Sequence, residues 1–227
     1  MLSSLVSEWM FDEPEVNGKT KDTWGSNHGT VYGVEWVDDC VFGKCYSFNG
    51  TSNYIDCGEL GSLGDEFTFS AWFKTSSKKT YNPIVMIDGD KKGNPQLRTV
   101  SSGKVQFRFY NGNNLESVKI HNNNRWYFAV GGVSDGKQIL YVDGISQGTL
   151  APSATLDWSG SAKIGLYSLS ASYNYFTGSI DDVRIYNTAL SSAQIKQNYI
   201  VGLDSMLKKG TLSKDEYNER LQALANE

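Results

Sequence analysis

The chain has 227 residues, enough for one large domain with a real core, which excludes a miniprotein held only by disulfides. Hydrophobic residues make up 39%, charged residues 20% and aromatics 13%, too aromatic for a disordered chain and too sparsely charged for a coiled coil or helical bundle. The formal charge of -4 gives no basic stripe to displace phosphate counterions, so nucleic acid is excluded as a partner, and no apolar run reaches the roughly 20 residues that span a bilayer.

From the N-terminus, strands are predicted at 5–11, 30–36, 45–49 and 53–57, separated by Gly, Asn and Ser turns. The opening Met1–Ser7 has neither the basic start nor the apolar stretch of a signal peptide. Cys40 and Cys45 flank Val41-Phe42-Gly43-Lys44, a tight hairpin whose ends can face each other, and a Cys40–Cys45 disulfide is expected. So short a loop makes it worth about 2 kcal/mol. Cys57 is then a spare buried thiol. Zinc is disfavoured, because there is no CxxC pair and His28 and His121 are distant in sequence.

In Glu66–Phe73, Phe67, Phe69, Ala71 and Phe73 alternate with Thr68, Ser70 and Trp72, the period of a strand with one buried face. The alternation recurs in Val105–Tyr110, which places Gln106, Arg108 and Tyr110 on the face opposite Phe107 and Phe109. Further strands are predicted at 83–88, 96–100, 116–120, 126–133, 137–143, 162–166 and 177–186. Ser102-Gly103, Asn111-Gly112, Asp135-Gly136 and Asp143-Gly144 supply positive-φ residues for hairpins. So many short strands point to an all-β, two-sheet sandwich filled by Trp9, Phe67, Phe69, Phe107, Phe109 and Phe128. The pattern changes at Leu190. Ser191 with Gln194 makes a capping box and Leu190 with Ile195 a hydrophobic staple; Ser213 with Glu216 and Leu212 with Tyr217 repeat the device. Residues 1–200 read as the sandwich and 201–227 as a helical appendage that covers a sheet surface or docks a partner.

Five segments in order, LVSEWMFDE (5–13), KDTWGSNHGTV (21–31), FGKCYSFNGTSNYIDCG (42–58), FTFSAWFK (67–74) with RWYFAV and LYVDG (125–144), and FTGSIDDVRIYNTALSSAQI (176–195), resemble the laminin G-like, concanavalin A-like jelly-roll domains of bacterial and archaeal type. The helical tail is similar to tails that follow such domains in pilin-like surface proteins. The resemblance implies an antiparallel jelly-roll sandwich and an extracellular or cell-surface place. The partner expected is a glycan or a cell-surface protein, in a carbohydrate-binding or adhesive role. It leaves open a structural subunit of a surface appendage, self-assembling through the C-terminal helices.

The polar loop Asp22–Thr30 offers carboxylate and carbonyl oxygens of the kind calcium takes. If the last strand lies beside that loop, as the resemblance implies, Asp22 and Asp181 share one Ca²⁺ with carbonyls from Gly25 and Asn27 and the Thr30 oxygen. The alternative is that Asp22 caps a turn and Asp181 pairs with Arg184 or a backbone N–H. His28 is expected to bond locally, and His121 to be a solvated loop residue. For a sugar, Gln96, Arg98, Gln106, Arg108 and Tyr110 fall at outward-looking positions of two adjacent strands, with Trp158, Tyr167, Tyr173 and Tyr175 as walls. The alternative there is a solvated sheet surface. The β-glucanase relatives carry Glu-x-Asp-x-Glu on one strand. Here Glu13 and Glu15 are split by Pro14 in a loop, and Asp38-Asp39 and Asp181-Asp182 are adjacent pairs that point oppositely in a strand, so no enzymatic role is expected.

Overall fold

The computed structural model describes residues 4–88, 93–169 and 172–226. In chain order the strands are β1 (Leu5–Trp9), β2 (Lys19–Thr20), β3 (Gly29–Tyr32), β4 (Glu35–Val37), β5 (Cys45–Asn49), β6 (Tyr54–Asp56), β7 (Phe67–Lys74), β8 (Asn82–Asp88) and β9 (Pro95–Thr99). They continue with β10 (Val105–Phe109), β11 (Asn114–Glu116), β12 (Trp126–Ser134), β13 (Lys137–Val142), β14 (Ile145–Leu150), β15 (Ser161–Ile164), β16 (Leu166–Leu169), β17 (Ser172–Tyr175) and β18 (Thr177–Tyr186). Two helices follow, α1 (Ser192–Lys209) and α2 (Lys214–Ala225). All strand pairs are antiparallel. Sheet 1 runs β14-β13-β12-β7-β18-β5-β4 with β1 also on β18, sheet 2 runs β11-β10-β9-β8-β15-β6-β3-β2, and β16 pairs with β17 as a separate hairpin.

Alternation fills the space between the sheets as expected. Trp9, Phe67, Phe69, Phe107 and Phe109 share one buried cluster, with Phe67 and Phe107 meeting across the sheets at 6.1 Å between ring centroids. The approach is so close at Gly131 that a Cβ there would lie 2.4 Å from the Phe107 ring, which accounts for a glycine in mid-strand. The Asp135-Gly136 and Asp143-Gly144 turns have positive φ at both residues, the mirror-image turn that suits strand twist.

The other face of sheet 1 departs from the sequence reading. All of Phe67–Phe73 is buried, Thr68, Ser70 and Trp72 included, because α1 and α2 lie over that face. Phe128 belongs to this second cluster, with Trp72, Trp126, Val130 and Tyr186 from the strands and Ile195, Tyr199, Leu203, Met206 and Leu224 from the helices. It does not fill the sandwich. Tyr199 stacks on the Trp72 indole at 5.6 Å, and Gly202 allows the contact: a Cβ there would fall 2.1 Å from Trp72 Cζ2. The polar Thr68 is satisfied by the same segment, donating to Thr188 O at 2.9 Å and accepting from Leu190 N at 3.0 Å. The capping box at Ser191 and Gln194 is formed, and α1 runs without a break through residue 200. The helices thus pack on sheet 1 through this cluster, and α1 crosses the expected boundary at 200/201.

The Cys40–Cys45 disulfide is present and buried. Its loop is held from both sides. Asp181 Oδ2 accepts Val41 N and Phe42 N, each at 2.9 Å, while Ser205 Oγ donates to Val41 O and Lys209 Nζ donates to Cys40 O and Phe42 O from the end of α1. Cys57 is a free, buried thiol.

A candidate glycan-binding face on sheet 2

The pairing of β9 with β10 brings the expected polar residues together: Gln106 opposes Arg98 and Arg108 opposes Gln96. The register continues across the sheet as one row of outward positions, Arg108, Gln96, Met86, Lys163, Asp56 and Thr30. At the usual spacing of neighbouring strands the row is about 24 Å long.

Its first half is not a solvated surface. Gln96, Arg98 and Gln106 are all buried. The hairpin β16–β17 packs there, its Tyr167 ring lying 6.0 Å from Tyr81 and 6.3 Å from Tyr110. Tyr81 stacks over the Arg98 guanidinium at 4.2 Å. Arg98 Nε donates to Gln106 Oε1 at 2.8 Å and Nη1 to Gln96 Oε1 at 3.4 Å, while Gln106 Nε2 donates to Glu116 Oε1 at 2.7 Å. Burial lowers Arg98 to about 10, with the Arg108 charge adding to the effect, and burial pushes Tyr167 up to about 12. Arg108 and Tyr110 remain half-exposed at the edge.

The far half carries an aromatic pair that the sequence reading passed over. Tyr32 and Tyr54 stack face to face, centroids 4.2 Å apart and planes within 7°. Tyr175 lies 6.3 Å from Tyr54, and Lys163, paired with Asp56, sits 6.0 Å over the Tyr54 ring. Partial burial and the neighbouring Tyr32 push Tyr54 up to about 12. The signal was in the alternation: Val31 and Ile55 face the core, so Tyr32, Tyr54 and Asp56 must face out.

One expected wall lies elsewhere. Trp158 packs on Phe67 at 4.7 Å and donates Nε1 to Gly64 O, closing the core. Tyr173 is in β17, and its side chain lies outside the described residues.

Of the five residues expected to hold calcium, Asp22 and Asp181 are each held by backbone N–H groups. Asp22 Oδ1 accepts Glu8 N, Trp24 N and Gly25 N, and Oδ2 accepts Asn27 N, all within 3.1 Å. Gly25 and Asn27 thus offer N–H groups to the carboxylate, and the Asn27 carbonyl accepts Trp9 Nε1. Burial alone would raise the Asp22 carboxyl, but these N–H bonds bring it below the ordinary aspartate value. Asp181 is engaged instead at the disulfide loop, and Thr30 pairs in β3. Among the described residues no three His, Cys, Asp or Glu are grouped to hold a metal.

His28 bonds locally as expected, its Nδ1 accepting Asp22 N at 3.1 Å. His121 does not stay in solvent. It is buried edge-on against Tyr127 at 4.8 Å, with Nδ1 3.3 Å from Ser117 Oγ. Burial lowers its pKa to about 4, against 6.5 for a free imidazole. A base depressed in this way adds stability above the unfolded pKa that is lost as pH falls through the folded one. Between pH 6.5 and 4 the wild type is expected to lose up to about 3 kcal/mol relative to His121→Gln in urea titrations. Asp143 and Asp182, both raised to about 6 by burial, act in the opposite sense and cancel in that difference. Parallel pH profiles for the two proteins would remove His121 as the cause.

The family model described as the concanavalin A-like lectin/glucanases superfamily matches residues 49–196, nearly two thirds of the chain. The chain belongs to this superfamily. No curated protein sequence matches it. Among solved structures, this concanavalin A-like sandwich is similar to domain 4 of AbnA, a GH43 extracellular arabinanase from Geobacillus stearothermophilus, in complex with arabinotriose. The TM-score is 0.68 at 19% identity, covering 86% of this chain and 98% of that one. It is similar also to a Trypanosoma rangeli sialidase, with TM-score 0.67, 15% identity and 86% of this chain but 32% of that one. A third similarity is to the binding domain of Paraclostridial Mosquitocidal Protein 1, with TM-score 0.65, 16% identity and coverage of 88% and 52%. The chain thus spans about a third of the sialidase and half of the mosquitocidal chain. At these identities the likeness establishes the fold.

Proposed function

We propose that this concanavalin A-like domain is a non-catalytic extracellular module that binds a glycan along the outer face of sheet 2. The observation that carries the reading is the stacked Tyr32–Tyr54 pair beside Lys163 and Asp56, at the uncovered end of the row. Flat rings receive the apolar faces of sugar rings, and the flanking charges and carboxamides meet hydroxyls. The complex of AbnA domain 4 with arabinotriose supports a sugar as the ligand class. For a non-catalytic role, the carboxylates along the row are engaged, Glu116 with Gln106 and Asp56 with Lys163. For an extracellular place, the buried Cys40–Cys45 bond fits an oxidising compartment. A structural calcium at Asp22 is not part of this reading, since backbone N–H groups already occupy that carboxylate.

Binding to a panel of soluble polysaccharides, measured by affinity electrophoresis, tests it. At least one polysaccharide is expected to retard the wild type, and Tyr54→Ala is expected to weaken that retardation roughly tenfold. The variant should melt within a degree or two of the wild type, because Tyr54 is half-exposed. No retardation by any polysaccharide, or equal retardation of Tyr54→Ala, would overturn the reading.

A further inference from the structure

The arginine end of the row is poor in negative charge. The chain has five arginines, and Arg125, Arg184 and Arg220 each lie within 3 Å of a carboxylate oxygen. Among the described residues, Arg98 and Arg108 have no such partner. Arg98 is only 2% exposed, and a buried cation without a carboxylate is costly. Gln96 and Gln106 both turn their carbonyl oxygens to it. That leaves their amide groups facing away: Gln106 Nε2 reaches Glu116, and the buried Gln96 amide lies against the Tyr167 hydroxyl. The cross-strand partner of Gln96 is the half-exposed Arg108, whose Nε donates to Phe109 O and whose other guanidinium N–H groups stay available. Arg108 thus presents open donors at the border of a covered cluster that holds a second arginine and whose carboxylate, Glu116, is engaged by Gln106.

We infer that the glycan taken by this face is acidic, and that Arg108, at the open border of the covered Gln96–Arg98 cluster, recognises a sugar carboxylate, as in a polyuronate. This rests on the carbohydrate-binding reading above. A planar guanidinium fork matches a carboxylate bidentately, which a lysine at the same place would not do. Tyr110, two residues on from Arg108 and half-exposed like it, supplies a ring for the sugar that bears the acid.

Titration calorimetry with polygalacturonate, a neutral arabinan and dextran sulfate tests the assignment, at low salt and at about 300 mM salt, where exposed charges are screened. Polygalacturonate is expected to bind roughly tenfold or more tighter than arabinan and to weaken with salt. Arg108→Gln is expected to lose roughly tenfold on polygalacturonate, and Arg108→Lys to recover only part of it. Arg108 is half-exposed, so these variants should keep the wild-type melting point, unlike replacements of Arg98. Arabinan bound as tightly as polygalacturonate would overturn the acid preference while leaving glycan binding in place. Equal binding of dextran sulfate, or no effect of Arg108→Gln, would overturn the carboxylate assignment. Binding of none of the three would overturn this inference, and failure across the wider panel would overturn the reading beneath it.

Discussion

A chain ending at Leu190 is expected to be insoluble. The helices cover Trp72, Phe128, Val130 and Trp126 on the outer face of sheet 1. Fully burying a large apolar side chain is worth about 1.5–3 kcal/mol, so uncovering Trp72 and Phe128 alone forfeits on the order of 5 kcal/mol, a large part of the whole stability of a domain. The contiguous apolar patch left behind exceeds what soluble monomers expose. A milder probe of the same contact is Gly202→Val, whose side chain must displace the Trp72 indole from the 2.1 Å position a Cβ would occupy. Overpacking of this kind costs about 1–3 kcal/mol, read as a lower urea midpoint. A soluble, monomeric 1–190 chain with an unchanged midpoint would show that the helices are dispensable.

Asp181→Ala is expected to destabilise by about 2–5 kcal/mol, because two N–H groups of the disulfide loop lose the carboxylate that accepts them. The sign is not obvious in advance. Burial pushes the Asp181 carboxyl well above its usual value, and Asp182 and Asp12 add to that against the N–H bonds from Phe42 and Val41. Removing a carboxyl so placed relieves desolvation and repulsion. Asp181→Asn separates the two effects, since its carbonyl oxygen can still accept both N–H groups while its amide faces the neighbouring acids. Asn is therefore expected to be near neutral where Ala is severe. Equal loss in both variants, measured by urea denaturation, would show that charge rather than the two N–H bonds holds the loop.

Alternation made β7 and β10 legible, because Phe67, Phe69, Phe107 and Phe109 needed only period two and an apolar side. The caps at Ser191 and Ser213 and the Cys40–Cys45 bond were legible for the same reason, each resting on residues close in sequence. What lay beyond sequence was cover. Trp72 and Thr68 look like the wet side of a strand until a helix from some 120 residues later lies on them. Gln96 and Arg98 look solvated until Tyr81 and Tyr167 close over them. His121 was lost in the same way, under Tyr127. Asp22 shows a different limit. Composition tells that a loop is rich in oxygen, but only geometry tells that its carboxylate meets four N–H groups instead of a cation.

Strand β18 has a consequence for how the molecule is made. Its first half pairs with β5 and its second half with β1, while β7 lies along its other edge, and the register shift at Asp181–Arg184 marks the change of partner. It is the last strand of the chain and stands in the middle of sheet 1. On a ribosome, β1 and the β18-facing edges of β5 and β7 must wait with their ladder groups unpaired until residue 186 has emerged, and the cover over Trp72 is later still. Folding is thus set by closure of contacts more than 100 residues apart, a slow topology that leaves exposed strands at risk of pairing with neighbouring copies. A co-translational protease assay should find nascent chains shorter than this point uniformly sensitive, with resistance gained in one step near the C-terminus.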